Sequence, residues 1–189
     1  MTRFPPFRVL IAHDQVVRRC HELARSIAQT LAGQPPILIA VIEGARPFAG
    51  LLQRCLPGAL PVHEVRASSY AGTQSTGEVR VTTGGDLPVR GQHVLLLEDI
   101  VDTGRTIAVL QRHFLARGAA TCRVASLLSK PSRRVVEVGI DFLGFEIPDE
   151  FVLGFGMDLD GRYRELPDVV VYDPAVERAF GESRSSAVG

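Results

Sequence analysis

The sequence predicts an α/β fold: a twisted, mostly parallel sheet flanked by helices. Three observations predict it. Ile37 to Ile42, Val94 to Leu97 and Arg123 to Leu128 are short, largely apolar runs without helical period, which read as strands buried on both faces. Between these runs lie stretches with apolar residues at helical spacing, and strands that alternate with helices build parallel sheets. The run ending at Leu97 passes through a tight polar turn directly into a helix, the βα junction at which open α/β sheets place their ligands.

Residues 1 to 13 contain Pro5 and Pro6 and read as irregular. Asp14 is a candidate N-cap for a helix with the stripe Val17, Cys20, Ala24, Ile27 and Leu31, closed by Gly33. Pro35 and Pro36 separate it from the strand Ile37 to Ile42. Glu43-Gly44-Ala45-Arg46 follows as a turn, then a short helix from Arg46 to Leu56, broken by Pro57-Gly58. Val62 to Ala67 alternates and reads as a strand with one exposed side. Residues 68 to 85 are rich in Ser, Thr and Gly and read as a loop or flexible hairpin. A long polar loop of this kind is a candidate lid. After the strand at Val94 to Leu97 comes a helix with the stripe Ile107, Leu110, Phe114 and Leu115, stopped by Gly118. Arg123 to Leu128 is the next strand and delivers Lys130 at its end. Phe142 to Ile147 and Phe151 to Phe155 are joined by the turn Pro148-Asp149-Glu150, and Val169 to Tyr172 is a last strand. Residues 174 to 189 read as a fraying tail.

The chemistry concentrates in residues 93 to 106, His-Val-Leu-Leu-Leu-Glu-Asp-Ile-Val-Asp-Thr-Gly-Arg-Thr. Three carboxylates, Glu98, Asp99 and Asp102, follow the apolar run, and Thr103, Gly104, Arg105 and Thr106 open the helix. A helix start offers free N–H groups and the positive end of a dipole, which suits a phosphate. Gly104 permits a close backbone approach, and the two threonines add hydroxyl donors. The acids suit vicinal sugar hydroxyls or a Mg²⁺ ion. Asp102-Thr103-Gly104 does not fit an aspartic protease, which needs two such carboxylates in an all-β setting. Nor is there a Gly-x-x-x-x-Gly-Lys phosphate loop.

A chain of 189 residues is of a length for one domain, and 46% hydrophobic residues is ordinary for a globule. Acids and bases balance at 21 each, so the total charge favours neither nucleic acid nor an anionic membrane. No run reaches the length of a membrane span, and the N-terminus lacks a signal-peptide core. Cys20, Cys55 and Cys122 have no metal spacing and read as buried free thiols of a cytoplasmic protein. Lys130 is the sole lysine among the 21 basic residues, so it is a candidate for a place where a compact ammonium is required.

The stretch at 93 to 106 resembles the phosphoribosyl-pyrophosphate (PRPP) motif of type I phosphoribosyltransferases. Ser68-Ser69-Tyr70, Gln74-Ser75-Thr76-Gly77, Lys130-Pro131-Ser132-Arg133-Arg134, Gly144 to Val152 and Tyr163-Arg164-Glu165-Leu166-Pro167 look like the hypoxanthine-guanine branch, above all its bacterial members. The likeness runs in order across residues 8 to 173. It implies a single domain over residues 1–189, with a small hood formed by N- and C-terminal segments and a lid at about 68–85. It implies that Asp102, Thr103, Gly104, Arg105 and Thr106, with Glu98 and Asp99, bind PRPP. Glu43, Gly44, Ser69, Tyr70 and Arg164 would hold the pyrophosphate, with Arg66 near it. Lys130, Phe151, Val152 and Asp158 would hold the purine, Phe151 by stacking. Glu98, Asp99 and Asp158 would serve Mg²⁺, and Asp102 would accept the proton. The implied reaction joins hypoxanthine or guanine to PRPP in a cytoplasmic homo-oligomer, dimer or tetramer, without nucleic acid or membrane partners.

One position departs from the family. Glu43 stands where a basic residue is common, which adds negative charge beside a polyanion, with Arg46 as the expected offset. Two other readings are a sister enzyme preferring xanthine and a regulator that senses purine or PRPP without catalysis. The regulator would need a DNA-binding segment, and the roughly 35 residues before the Ile37 run hold no basic cluster suited to a groove.

Overall fold

The computed structural model describes residues 4–31, 33–69, 79–83 and 85–185. In chain order the elements are β1 (Arg8–Ile11), α1 (His13–Thr30), β2 (Ile37–Ile42), α2 (Arg46–Cys55), β3 (Val62–Ser69) and β4 (Val79–Thr83). Then come β5 (His93–Val101), α3 (Arg105–Ala116), β6 (Thr121–Ser129), β7 (Phe142–Glu146), β8 (Val152–Leu153), β9 (Val169–Val171) and α4 (Pro174–Ser185). The larger sheet has six strands in the order β4-β3-β2-β5-β6-β7. All its pairings are parallel except β3 with β4. The expected fold class is therefore observed.

The apolar runs explain why the sheet is covered on both sides. Leu38, Ala40, Leu95, Leu97, Ala125 and Leu127 face α1 and α2, joining Cys20, Ile27, Phe48 and Leu52. Ile39, Val41, Val94, Leu96 and Val124 face the other way, onto Ile107, Leu110 and Phe114 of α3. Successive residues of a strand point to opposite faces, so an unbroken apolar run serves two layers at once. Complete burial of each leucine contributes about 1.5–3 kcal/mol against the cost of ordering the chain.

A second sheet of three antiparallel strands, β1-β9-β8, joins the two ends of the chain. It is the hood that the resemblance implies, and it corrects the reading of residues 1–13 as irregular. Four residues of β1 carry too little periodicity to be read alone, and their partners lie about 160 positions away.

Smaller corrections have local causes. Helix α1 is capped at Ala12, whose N–H is accepted by the Gln15 side chain at 2.9 Å, and Asp14 lies in its first turn. Its buried stripe begins at Val16, not Val17. Leu115 is half-exposed, because it sits one position past Phe114 and so turns away from the sheet. β5 runs on to Val101, so Glu98 and Asp99 belong to the strand. Residues 174–185 form a helix rather than a frayed tail: Glu177 accepts hydrogen bonds from the hydroxyls of Tyr163 and Tyr172 and from Arg162. Of the expected lid, residues 68, 69 and 79–83 belong to the β3–β4 hairpin, and residues 70–78 and 84 lie outside the described residues. Cys20 is buried, whereas Cys55 and Cys122 are partly exposed, and all three are free. No helix among the described residues is long and apolar enough to cross a membrane.

Candidate active site

Parallel pairing brings three strand ends to one edge. Ala40 is level with Leu97, so the Glu43-Gly44 turn after β2 emerges beside Asp99. Val101 is level with Ser129, so Lys130 emerges beside Asp102. The backbone N–H of Lys130 donates to the Val101 carbonyl at 3.0 Å, the last bond of that ladder.

Glu98 and Asp99 are close-set, and burial dominates both. It pushes the Glu98 carboxyl well above the usual carboxylate range, and the neighbouring Asp99 charge adds to the effect. Burial also raises Asp99, opposed by hydrogen bonds from backbone N–H groups. Glu98 Oε2 is buried without a hydrogen-bond partner, an arrangement that favours the arrival of a donor or a cation. Asp99 reaches across to the turn after β2. A Cβ on Gly44 would fall 1.8 Å from Asp99 Oδ2, so no other residue fits there without displacing that carboxylate.

Gly104 caps α3 with φ +82°, in the left-handed region. The close approach it permits is internal as well: a Cβ would meet the Val136 carbonyl oxygen at 2.2 Å. The turn is thus packed from behind by the chain that follows Lys130. Thr103 and Thr106 are partly exposed at the helix start and Arg105 is exposed.

A cleft of about 530 Å³ opens at this edge, lined by Asp99, Ile100, Asp102, Lys130, Arg133 and Asp149, and closed by Phe151, Val152, Met157 and Asp158. Every purine-side residue of the sequence reading lines it. Lys130 is buried, and its Nζ lies 3.9 Å from Asp149, too far for a hydrogen bond, so its donors remain for a ligand. Phe151 is not a core residue. It is 52% exposed at the cleft wall, with its ring edge-on to Tyr172 at 5.9 Å.

On the other flank, Glu43 follows a cis peptide bond after Ile42 and accepts a bond from Arg66 at 2.9 Å. That Arg66 pairing holds the Glu43 carboxyl below the usual carboxylate range. Arg46, the expected offset, is engaged elsewhere, donating to both oxygens of Glu64 at 2.7 and 3.0 Å. The Arg164 guanidinium donates to the Gly156 carbonyl and pairs with Asp158 at 2.8 Å, which joins a residue expected at the pyrophosphate to one expected at the purine. Ser69 is the last residue of β3, and Tyr70 lies outside the described residues.

Two arginines outside the candidate site residues also reach this edge, Arg133 from an exposed position and Arg134 from a partly buried one. Arg133 Nε donates to Asp102 Oδ1 at 3.1 Å, and its Nη1 lies 3.6 Å from Asp149. Arg134 donates to the Asp102 carbonyl and to Ser129 Oγ, both at 2.8 Å. Their adjacency to Lys130 was the available signal, since a strand end that delivers one delivers all three.

The chain matches the phosphoribosyl transferase domain over residues 10–160. It is 36% identical over 165 residues to a hypoxanthine-guanine phosphoribosyltransferase of Streptococcus thermophilus, covering 87% of this chain and 92% of that protein. Identity is 37% over 170 residues to that of Bacillus subtilis, covering 89% and 94% respectively. The crystal structure of a hypoxanthine-guanine phosphoribosyltransferase from Bacillus anthracis superposes with a TM-score of 0.82 at 34% identity, covering 87% of this chain and 98% of that one.

Proposed function

The chain belongs to the phosphoribosyltransferase family, in its hypoxanthine-guanine branch, and on that premise we propose that it transfers phosphoribose from PRPP to N9 of a 6-oxopurine. The products are IMP or GMP and pyrophosphate, a purine-salvage reaction. The observation that carries the assignment of roles is the single cleft in which Asp102, Lys130, Phe151 and Asp158 meet beside the turn that opens α3.

Thr103 to Thr106 receive the 5′-phosphate at the helix start. Asp99, with Glu98 behind it, holds the ribose hydroxyls. Gly44 supplies backbone at the pyrophosphate and Arg164 supplies positive charge there, while the charge of Arg66 is offset by Glu43. As the bond from C1 to pyrophosphate breaks, the sugar becomes cationic, and the carboxylates of Asp99 and Asp102 favour that charge. The purine stacks on Phe151 between Val152 and Lys130, and Asp102 takes its proton, at N7.

The residues also suit Mg²⁺. No group of three His, Cys, Asp or Glu among the described residues is placed to hold a metal ion unaided. Mg²⁺ commonly takes one or two carboxylates and leaves its other positions to water and substrate phosphates. Asp99 and Asp158 line the cleft, and Glu98, whose Oε2 is buried without a hydrogen-bond partner, adjoins Asp99 in the strand. Held there together with PRPP, Mg²⁺ would supply positive charge to offset the pyrophosphate leaving group.

The direct test supplies PRPP and Mg²⁺ with each purine in turn and follows nucleotide formation. Rapid synthesis with hypoxanthine supports the assignment. PRPP or purine binding without product from any base would replace it with the sensing regulator. Activity is expected to vanish with EDTA and return with added Mg²⁺, and undiminished synthesis in metal-free buffer would refute the metal role.

Glu43 provides a graded test. It removes one positive charge from the pyrophosphate side by holding Arg66. Glu43→Lys frees Arg66 and adds a second cation, so the KM for PRPP should fall. If it does not move, the turn works through its backbone alone.

A further inference from the structure

We propose that Arg134 is a positioning residue that holds the turn bearing Asp102 in register with the strand end bearing Lys130. The inference rests on the reading of Asp102 as proton acceptor.

Hydrogen bonding between β5 and β6 stops at the bond from Lys130 N–H to the Val101 carbonyl. Asp102 is the next residue, beyond the reach of the ladder. Arg134 takes over there with its side chain: Nη1 donates to the Asp102 carbonyl and Nη2 to Ser129 Oγ, each at 2.8 Å. Ser129 immediately precedes Lys130 and is 2% exposed. One planar fork thus joins the residues at both strand ends. A lysine could not do the same, since its ammonium is a point donor on a flexible stem.

The backbone around Arg134 reinforces the grip. The N–H groups of Val135 and Val136 both donate to the Thr103 carbonyl at 3.0 Å. The Val136 carbonyl occupies the space above Gly104 that any other residue would fill. Residues 134–136 therefore run against 102–104 as a brace. Arg134 does not line the cleft, whereas Asp102 and Lys130 do. Its role is to fix the distance between the group that reads the purine and the group that takes its proton. A misplacement of about 1 Å in such a pair can cost on the order of 10²-fold in rate.

A double-mutant cycle tests this. Arg134→Gln alone should lower kcat by about 10²-fold and change the KM for hypoxanthine far less, with a thermal melt showing folded protein. Arg134→Lys should recover only part of the loss. In an Asp102→Asn background, Arg134→Gln should cost little more, because the group it positions no longer acts. If Arg134→Gln does not fold, Ser129→Ala severs the same tether from the other end, keeps the charge, and enters the same cycle with a smaller expected loss. An equal fold-loss in both backgrounds overturns the inference and leaves Asp102 as proton acceptor. Near-normal turnover of Asp102→Asn overturns the proton-acceptor reading and this inference with it. Turnover of folded Arg134→Gln within about twofold of wild type also overturns it, since the loss expected of a mispositioned pair is far larger.

Discussion

Asp102→Asn keeps the fold and the binding of PRPP and loses most of the turnover. The substitution is isosteric, and its amide oxygen can still accept from Arg133, which donates to Asp102 Oδ1 at 3.1 Å. Arg133 and Asp102 are both substantially exposed, at 47% and 38% of their side chains, so loss of the ion pair costs little stability. The Asp102 carbonyl, which Arg134 holds, is untouched. What disappears is the capacity to take a proton. A positioned carboxylate contributes roughly 10²–10⁴-fold to such a step, and kcat at saturating substrates should fall by that range. Calorimetric PRPP binding and a thermal melt separate this loss from misfolding. A near-normal kcat would remove Asp102 from the role.

The second large effect concerns which purines are accepted. Lys130 is 7% exposed, in a cleft walled by Phe151 and Val152. An ammonium donates and cannot accept. It can bond the 6-oxo group of hypoxanthine or guanine, but the 6-amino group of adenine would set donor against donor with little water to relieve it. Sites that read a polar group in this way discriminate by roughly 10⁴-fold. Strong activity with hypoxanthine and almost none with adenine is expected. Lys130→Gln offers both a donor and an acceptor, so it should lose hypoxanthine turnover and narrow the gap to adenine. The measurement is kcat/KM for both bases in both proteins. Equal use of adenine by wild type, or an unchanged gap in the variant, would exclude Lys130 as the reader.

Arg133 bears on both experiments. It lines the cleft and holds Asp102 from one side and Asp149 from the other, while Asp149 also lies 3.9 Å from Lys130. Asp102 and Lys130 thus share neighbours of alternating charge, and substitutions at the two positions should not be strictly additive.

The sequence by itself determined the elements whose signal is local. The apolar runs at Ile37, Val94 and Arg123 read as strands buried on both faces, because a short run without helical period leaves no polar face. Three acids, two threonines and a glycine between such a run and a helical stripe marked the turn as a candidate phosphate site before any neighbour was known. Lys130 stood out by being the sole lysine. The hood was legible only through resemblance. β1 is four residues long and finds its partner at Val169–Val171, so nothing near it in the chain announces it. Helix α4 likewise depends on Glu177 meeting two tyrosines of that hood.

Tertiary structure alone decided who pairs with whom. Arg46 was the nearest cation to Glu43 in sequence, yet parallel pairing of β2 with β3 set Arg66 level with Ile42 and delivered it instead. Arg133 and Arg134 had the composition of solvated residues. They became parts of the site because the chain after β6 folds back over the α3 turn, and two N–H groups that bond the Thr103 carbonyl hold it there. Periodicity reports which face a residue presents within its own element. The partner on the next strand is set by register and chain reversal, and neither leaves a periodic trace in the sequence.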